Sequence, residues 1–231
     1  MIIGIIGAME EEVNRLKDNM TVEKVLNKAN MEFYCGVLQE KKVVIVRSGI
    51  GKVNAAICTQ ILCDDFNVTA VINTGVAGSL KNEINIGDIV LSNDALQHDV
   101  DVTCFGYEYG IIPRMKQSEF QADTDLVKLA EQVCNTVNPD IATYIGRVIS
   151  GDQFISEAEK KDWLVEKFNG YCTEMEGAAI AQTAYLNQIP FLIIRAVSDK
   201  ADNSAQMDYN EFEMKAIEHT VKLVTGLLNA L

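Results

Sequence analysis

The signatures that most quickly assign a chain are missing from this one. Histidine occurs only twice, at His98 and His219, and the six cysteines (Cys35, Cys58, Cys63, Cys104, Cys134 and Cys172) never form a C-x-x-C pair. Structural zinc sites take Cys and His in close pairs, so no metal and no cofactor is expected. Scattered thiols of this kind suit a reduced, cytoplasmic protein. No apolar run approaches the roughly 20 residues that cross a bilayer. The run nearest the N-terminus, Ile2–Ile6, is broken by Gly4 and lacks the basic flank and cleavage site of a signal peptide. With three prolines and no low-complexity tract there is no candidate linker, and residues 1–231 are expected to form one domain. Basic residues are in deficit, 20 against 33 acidic, and the net charge of −13 repels nucleic acid and anionic membrane.

Two phosphate-binding motifs are absent as well. A dinucleotide site needs G-x-G-x-x-G after the first strand, but here Gly7 is followed by Ala8 and Met9. SGIGK at Ser48–Lys52 has neither the spacing nor the Ser/Thr of a P-loop.

What is present is a large apolar share, 48% of the residues, arranged in alternating strand and helix patterns. Ile2–Ile6 reads as a strand buried on both faces. A helix from about Met9 follows, with Met9, Val13 and Leu16 on one side. MEFYCGVLQEKKVVIVRSG reads as a hairpin around Gln39–Lys42. KVNAAICTQILCDDF has helical spacing through Val53, Ile57, Ile61 and Leu62. TAVINTG and GDIVLS are strands expected to end at Gly75 and near Ser92, and HDVDVTCFGYEYGIIP is a long loop. DLVKLAEQVCNTV, EAEKKDWLVEKF, MEGAAIAQTAYLNQ and FEMKAIEHTVKLVTGLLNAL read as helices, and YIGRVISG and FLIIRAVSD as strands. The alternation predicts an α/β fold with a largely parallel sheet, made mixed by the early hairpin.

Ligands of such sheets bind at the carboxyl ends of the strands. Those ends, GAMEEE, SGIG, TGVAGS, SGDQFI and AVSDKAD, hold glycine, serine and acid, and almost no Lys or Arg beyond Lys52. This composition suits a ligand that develops positive charge. The three glutamates after the first strand are not equivalent. At about 100° per residue Glu11 lies opposite the apolar face, free to pair with Arg15, and Glu10 is a first-turn acid favoured by the helix dipole. Glu12 lies beside Met9 and Leu16, where a carboxyl has a raised pKa suited to proton exchange. Glu176 precedes small residues that let backbone approach a ligand, whereas Glu174 reads either as a functional acid or as no more than a helix-start acid. Asp199, just past a buried strand, reads as a cap or as a functional acid.

GIIGAMEEEV, SGIGKVNAA, NTGVAGSL, GDIVLSNDALQHDVDVTCFGYEYG, VISGDQFI, EMEGAAIAQ and RAVSDKADNSAQMDYNEF, in that order, resemble the 5′-methylthioadenosine/S-adenosylhomocysteine nucleosidases of the purine nucleoside phosphorylase superfamily. The resemblance runs from residue 1 into the C-terminal helix. NTG-x-AG is common to the superfamily, whereas GAMEEEV, FGYEYG and EMEGAA are specific to the nucleosidase branch. It implies a three-layer sandwich and hydrolysis of the bond between adenine and ribose. By this resemblance Glu12 deprotonates the attacking water and Asp199 protonates adenine N7. Glu176 and the Met175 backbone hold the ribose hydroxyls, Phe154 stacks on adenine, and the Ile155 backbone reads its edge. Ser198 and Arg195 support the site, Val76, Ala77 and Gly78 line it, and Met9, Ile50 and Tyr209 face the ribose and alkylthio group. Val102, Phe105 and Pro113 reach the 5′-tail pocket of a partner subunit, which implies a homodimer. Relatives usually carry serine at Val76 and phenylalanine at Tyr209. The alternatives are a phosphorylase of the same superfamily, a futalosine or aminofutalosine hydrolase, and a nucleoside-binding protein without activity.

Overall fold

The computed structural model describes all 231 residues, and its ten strands join one sheet. In chain order the elements are β1 (Ile2–Gly7), α1 (Glu10–Asn19), β2 (Thr21–Lys28), β3 (Met31–Leu38), β4 (Lys41–Arg47), α2 (Lys52–Phe66), β5 (Ala70–Ser79), β6 (Ile89–Gln97), β7 (Phe120–Gln121), α3 (Thr124–Val137), β8 (Thr143–Ser150), α4 (Ala158–Phe168), β9 (Cys172–Glu174), α5 (Gly177–Leu186), β10 (Phe191–Asp199) and α6 (Ala205–Ala230). No helix is long and apolar enough to cross a membrane.

The sheet is mixed, as the hairpin predicts. β4, β1, β5 and β10 run parallel through its middle, and β2, β3 and β4 form an antiparallel flank. The parallel strands are the near-continuous apolar runs, because helices cover both their faces. β1, β5 and β10 are buried almost throughout and belong to a core cluster of 54 residues. A second cluster of 7 residues, including Leu80, Ile155, Phe168 and Ala201, lies under the segment after β8.

Several boundaries depart from the sequence reading. β5 continues past Gly75 to Ser79, and β6 past Ser92 to Gln97, because neighbouring strands go on offering hydrogen bonds there. β2 has no apolar pattern to betray it; it is an exposed edge strand that exists by pairing with β3. α6 begins ahead of Phe212, at Ala205. On α2 the buried face is Ala55, Cys58, Thr59, Ile61 and Leu62, whereas Val53 and Ile57 point outward with 69% and 43% of their surface exposed. The expected loop contains a single 3₁₀ turn, Thr103–Phe105.

Candidate active site

A cavity of about 410 Å³ opens at the carboxyl ends of β1, β5 and β10. Its wall includes Met9, Glu12, Ile50, Val76, Ala77, Gly78, Phe154, Met175, Glu176, Ser198, Asp199 and Tyr209, together with Ala8, Thr173 and Glu174. Of the fourteen residues expected within one subunit's site, twelve are lining residues, and the other two are Ile155 and Arg195.

Glu12 is carried into the cavity by the turn from β1 to α1. One carboxylate oxygen accepts the N–H groups of Ala8 (2.6 Å) and Met9 (3.0 Å), and the other accepts that of Val76 on β5 (3.2 Å). Burial pushes its pKa up, while Arg195 and these three N–H groups pull the other way. The first turn tolerates the buried acid because the N-terminal dipole and the unpaired N–H groups of the turn favour negative charge. The pile of acid resolves as expected for Glu12 and differently for its neighbours. Glu11 is exposed without the expected Arg15 partner, and Glu10 pairs with Lys17 (2.6 Å) and Arg47 (3.3 Å). An arginine thus stands near the first strand end after all. It is contributed by the end of β4, a neighbour in the sheet that is distant in sequence.

Asp199 closes β10 with only 2% of its surface exposed. It accepts the N–H of Ala201 (2.8 Å) and the hydroxyl of Ser198 (2.9 Å), so it caps its own turn and also faces the cavity. Burial raises its pKa. Two glycines of the NTGVAGS segment explain how both acids fit. A Cβ at Gly75 would come within 2.3 Å of Glu12 Oε1 and 2.6 Å of Arg195 Nη1, and one at Gly78 within 2.7 Å of Asp199 Oδ1. β5 must be bare at both places for the carboxyls to lie against it. The two positions are three residues apart, on the order of 10 Å along an extended strand, which leaves room for a sugar.

Glu176 stands at the mouth of α5 and accepts the N–H of Gly51 at 2.8 Å. Burial, then the neighbouring Glu174, push its pKa up to about 8. Glu174 is the residue sequence reasoning left undecided. Its carboxylate accepts from Ser150, from the N–H groups of Glu176 and Gly177, and from the Arg195 guanidinium. Arg195 lies beneath the cavity rather than in its wall, 1% exposed, and also donates to Asn73 at 2.5 Å. One cation therefore serves three buried acids, Glu12, Glu174 and Glu176. The alternation of β9 and β10 gave no sign of this cluster, since its members come from five separate segments.

Phe154 is half exposed at the cavity's edge and meets Tyr209 edge-on at 6.0 Å between ring centroids. Ile155 does not line this cavity; its side chain packs in the second core cluster. The Tyr209 hydroxyl donates to Glu213 (2.6 Å) and touches Met9 Sδ (3.3 Å), a contact a phenylalanine lacks. Val102, Phe105 and Pro113 do not line this cavity; they lie on the loop around the 3₁₀ turn, where Phe105 is 80% exposed.

A family profile described as the phosphorylase superfamily matches residues 2–229. A 5′-methylthioadenosine/S-adenosylhomocysteine nucleosidase of Staphylococcus aureus is 43% identical over 231 residues, covering all of both chains. The chain belongs to the 5′-methylthioadenosine/S-adenosylhomocysteine nucleosidases of the phosphorylase superfamily. The crystal structure of such a nucleosidase from Neisseria meningitidis, in complex with methylthio-immucillin-A, superposes with a TM-score of 0.95 at 38% identity, covering 100% of this chain and 99% of that one. A futalosine hydrolase of Helicobacter pylori has the same fold, with a TM-score of 0.94 at 32% identity and coverage of 100% and 98%. Membership in the nucleosidase family agrees with the geometry: a cavity walled by carboxyls, with its one deep cation already engaged.

Proposed function

We propose that this protein hydrolyses the N-glycosidic bond of 5′-methylthioadenosine and S-adenosylhomocysteine, releasing adenine and the 5-thioribose product. The observation that carries this reading is the pair of buried carboxyls, Glu12 and Asp199, set against the bare glycines of β5 in one cavity. Cleavage develops positive charge on the ribose, and fixed carboxylates stabilise it. Glu12, held by three N–H groups, takes a proton from water as its oxygen bonds to the sugar carbon. Asp199, whose proton affinity burial raises, gives a proton to adenine N7 as the bond to the base breaks. Glu176 accepts from the ribose hydroxyls, and Phe154 stacks on the base. The division of labour between a base and an acid follows that of inverting glycoside hydrolysis.

Water is the nucleophile on this reading. Phosphate would meet Glu12 in the cavity, and two like charges about 4 Å apart repel by roughly 4 kcal/mol at an effective dielectric near 20. Arg47 does not relieve this, because it is spent on Glu10 outside the cavity, and Arg195 is engaged by Glu174 and Asn73. The test is the sugar formed in phosphate buffer: free 5-methylthioribose supports hydrolysis, and 5-methylthioribose-1-phosphate overturns it. The likeness to a futalosine hydrolase supports one further arm, in which adenine release is compared across 5′-methylthioadenosine, S-adenosylhomocysteine, 5′-deoxyadenosine and aminofutalosine.

The working unit is a homodimer. Phe105, Tyr107, Val53 and Ile57 expose more apolar surface than a solvated loop and helix normally carry. Val102, Phe105 and Pro113 then complete the partner's 5′-tail pocket. Light scattering that finds a fully active monomer at micromolar concentration would refute this.

A further inference from the structure

Three loops, two of which line the cavity, are tied to one another by side chains outside it. Gly51, at the N-terminus of α2, gives its N–H to Glu176, and its neighbour Lys52 gives its own N–H to Asp152 Oδ1 at 2.9 Å. The Lys52 ammonium reaches in the other direction, to Asp99 Oδ1 at 2.5 Å and Gln97 Oε1 at 2.9 Å. Asp99 completes the circuit by accepting the N–H of Asp152 on its second oxygen, at 3.0 Å. The lysine–aspartate pair is largely shielded, each side chain 18% exposed. Beneath it the His98 ring lies against Gly151, where a Cβ would come within 2.4 Å. The segment that starts at Gly151 is therefore held from below by packing and from the side by the circuit. That segment carries Phe154 and Ile155.

We infer that Lys52, Asp99 and Asp152 are positioning residues, a closed ring of hydrogen bonds that sets both Glu176 and the Phe154–Ile155 segment against the substrate. None of the three touches the cavity, yet two of the loops they join contribute to it, Ile50 from the first and Phe154 from the segment after β8, and Glu176 is held through Gly51. The ring is charge-assisted on both sides of Asp99, the stronger class of hydrogen bond. Its chemistry also explains why Asp99 cannot be replaced quietly. Asparagine can accept from the Asp152 N–H, but its amide nitrogen then faces the Lys52 ammonium, donor against donor. Asp99 moreover opens the loop that carries Val102 and Phe105, so the ring anchors that loop to the site of its own subunit.

The inference rests on the proposed function for its turnover readout, and a second readout is independent of turnover. Lys52→Met keeps the stem of the side chain and the N–H to Asp152 but removes the ammonium; Lys52→Arg keeps a cation. Lys52→Met and Asp99→Asn should each lower kcat/KM about 10- to 100-fold, the scale of a misplaced binding group. The loss should appear mainly in KM and in the inhibition constant of free adenine, which Phe154 and Ile155 read. Lys52→Arg should recover most of it, and the double variant Lys52→Met/Asp99→Asn should be little worse than either single one. Simple destabilisation would lower the melting temperature and active fraction without moving KM or the adenine constant. Hydrogen exchange of residues 151–155 in the unliganded protein reads the same ring directly: protection should fall in Lys52→Met and persist in Lys52→Arg. A parent protein that releases no adenine would sink the proposed function and leave the exchange comparison to decide the ring. Parent turnover with unchanged KM, adenine constant and exchange in Lys52→Met and Asp99→Asn would overturn the ring.

Discussion

Replacing Glu12 by glutamine separates its structural work from its chemistry. In the parent, one oxygen takes the N–H groups of Ala8 and Met9 and the other that of Val76. The amide best keeps its oxygen on the first two, which are the shorter contacts, and turns its NH₂ toward the Val76 N–H. One hydrogen bond is lost and two donors oppose each other, a cost of about 1–3 kcal/mol at a buried site. Against that cost stands the relief of removing a carboxylate that burial disfavours, as its raised pKa records. The net loss stays within the roughly 5–15 kcal/mol by which native domains are stable, so the variant should fold. Catalysis is hit harder. Losing a positioned general base costs roughly 10²–10⁴ in rate, or about 3–5 kcal/mol of barrier at 1.36 kcal/mol per factor of ten. The assay is adenine release at saturating 5′-methylthioadenosine, with active sites counted by titration with a tight nucleoside analogue. Glu11→Gln is the control, since Glu11 is exposed and unpaired, and it should be nearly silent. A Glu12→Gln variant within tenfold of the parent, or a Glu11→Gln variant that falls as far, would refute the assignment of the base.

Asp199→Asn should fold normally, because the amide oxygen can still accept from Ala201 and the Ser198 hydroxyl can rotate to accept from the amide; adenine release should nonetheless drop by about 10²–10⁴. Turnover near the parent rate would rule out leaving-group protonation by Asp199. Glu176 should make stability depend on pH in a definite direction. Its carboxyl holds a proton up to about pH 8 when folded but only to its ordinary 4.5 when unfolded, so its contribution is full below the lower value and is lost as pH rises through the higher one. The melting temperature should therefore fall between those two pH values, and Glu176→Gln should flatten the fall; a variant with an unchanged slope would contradict this. Arg195→Met leaves Glu12, Glu174 and Glu176 without their shared cation and should cost about 3–5 kcal/mol in urea unfolding, the scale of a broken buried ion pair. A loss under about 1 kcal/mol would show that the acids are satisfied without it.

The sequence by itself determined the parts of this protein whose physics is local. Continuous apolar runs such as FLIIRAVSD and Ile2–Ile6 had to be strands covered on both faces, and the 100° step of a helix placed Glu12, not Glu11, toward the core. The motifs from GAMEEEV to RAVSDKAD carried the family and named the residues that the tertiary structure gathers into one cavity. What the sequence could not determine depends on partners far along the chain. β2 is a strand only because β3 offers it a ladder, and α2 turns Val53 and Ile57 outward because the sheet takes its other face. Arg47 reaches Glu10 across the sheet, and Glu174 looks like any helix-start acid until folding brings Ser150 and Arg195 to its carboxylate. The ring of Lys52, Asp99 and Asp152 spans about a hundred residues of chain for its longest link. Hydrogen bonds of that kind leave no period or spacing in a sequence, because only the closed fold decides which polar groups lose water together and must satisfy one another.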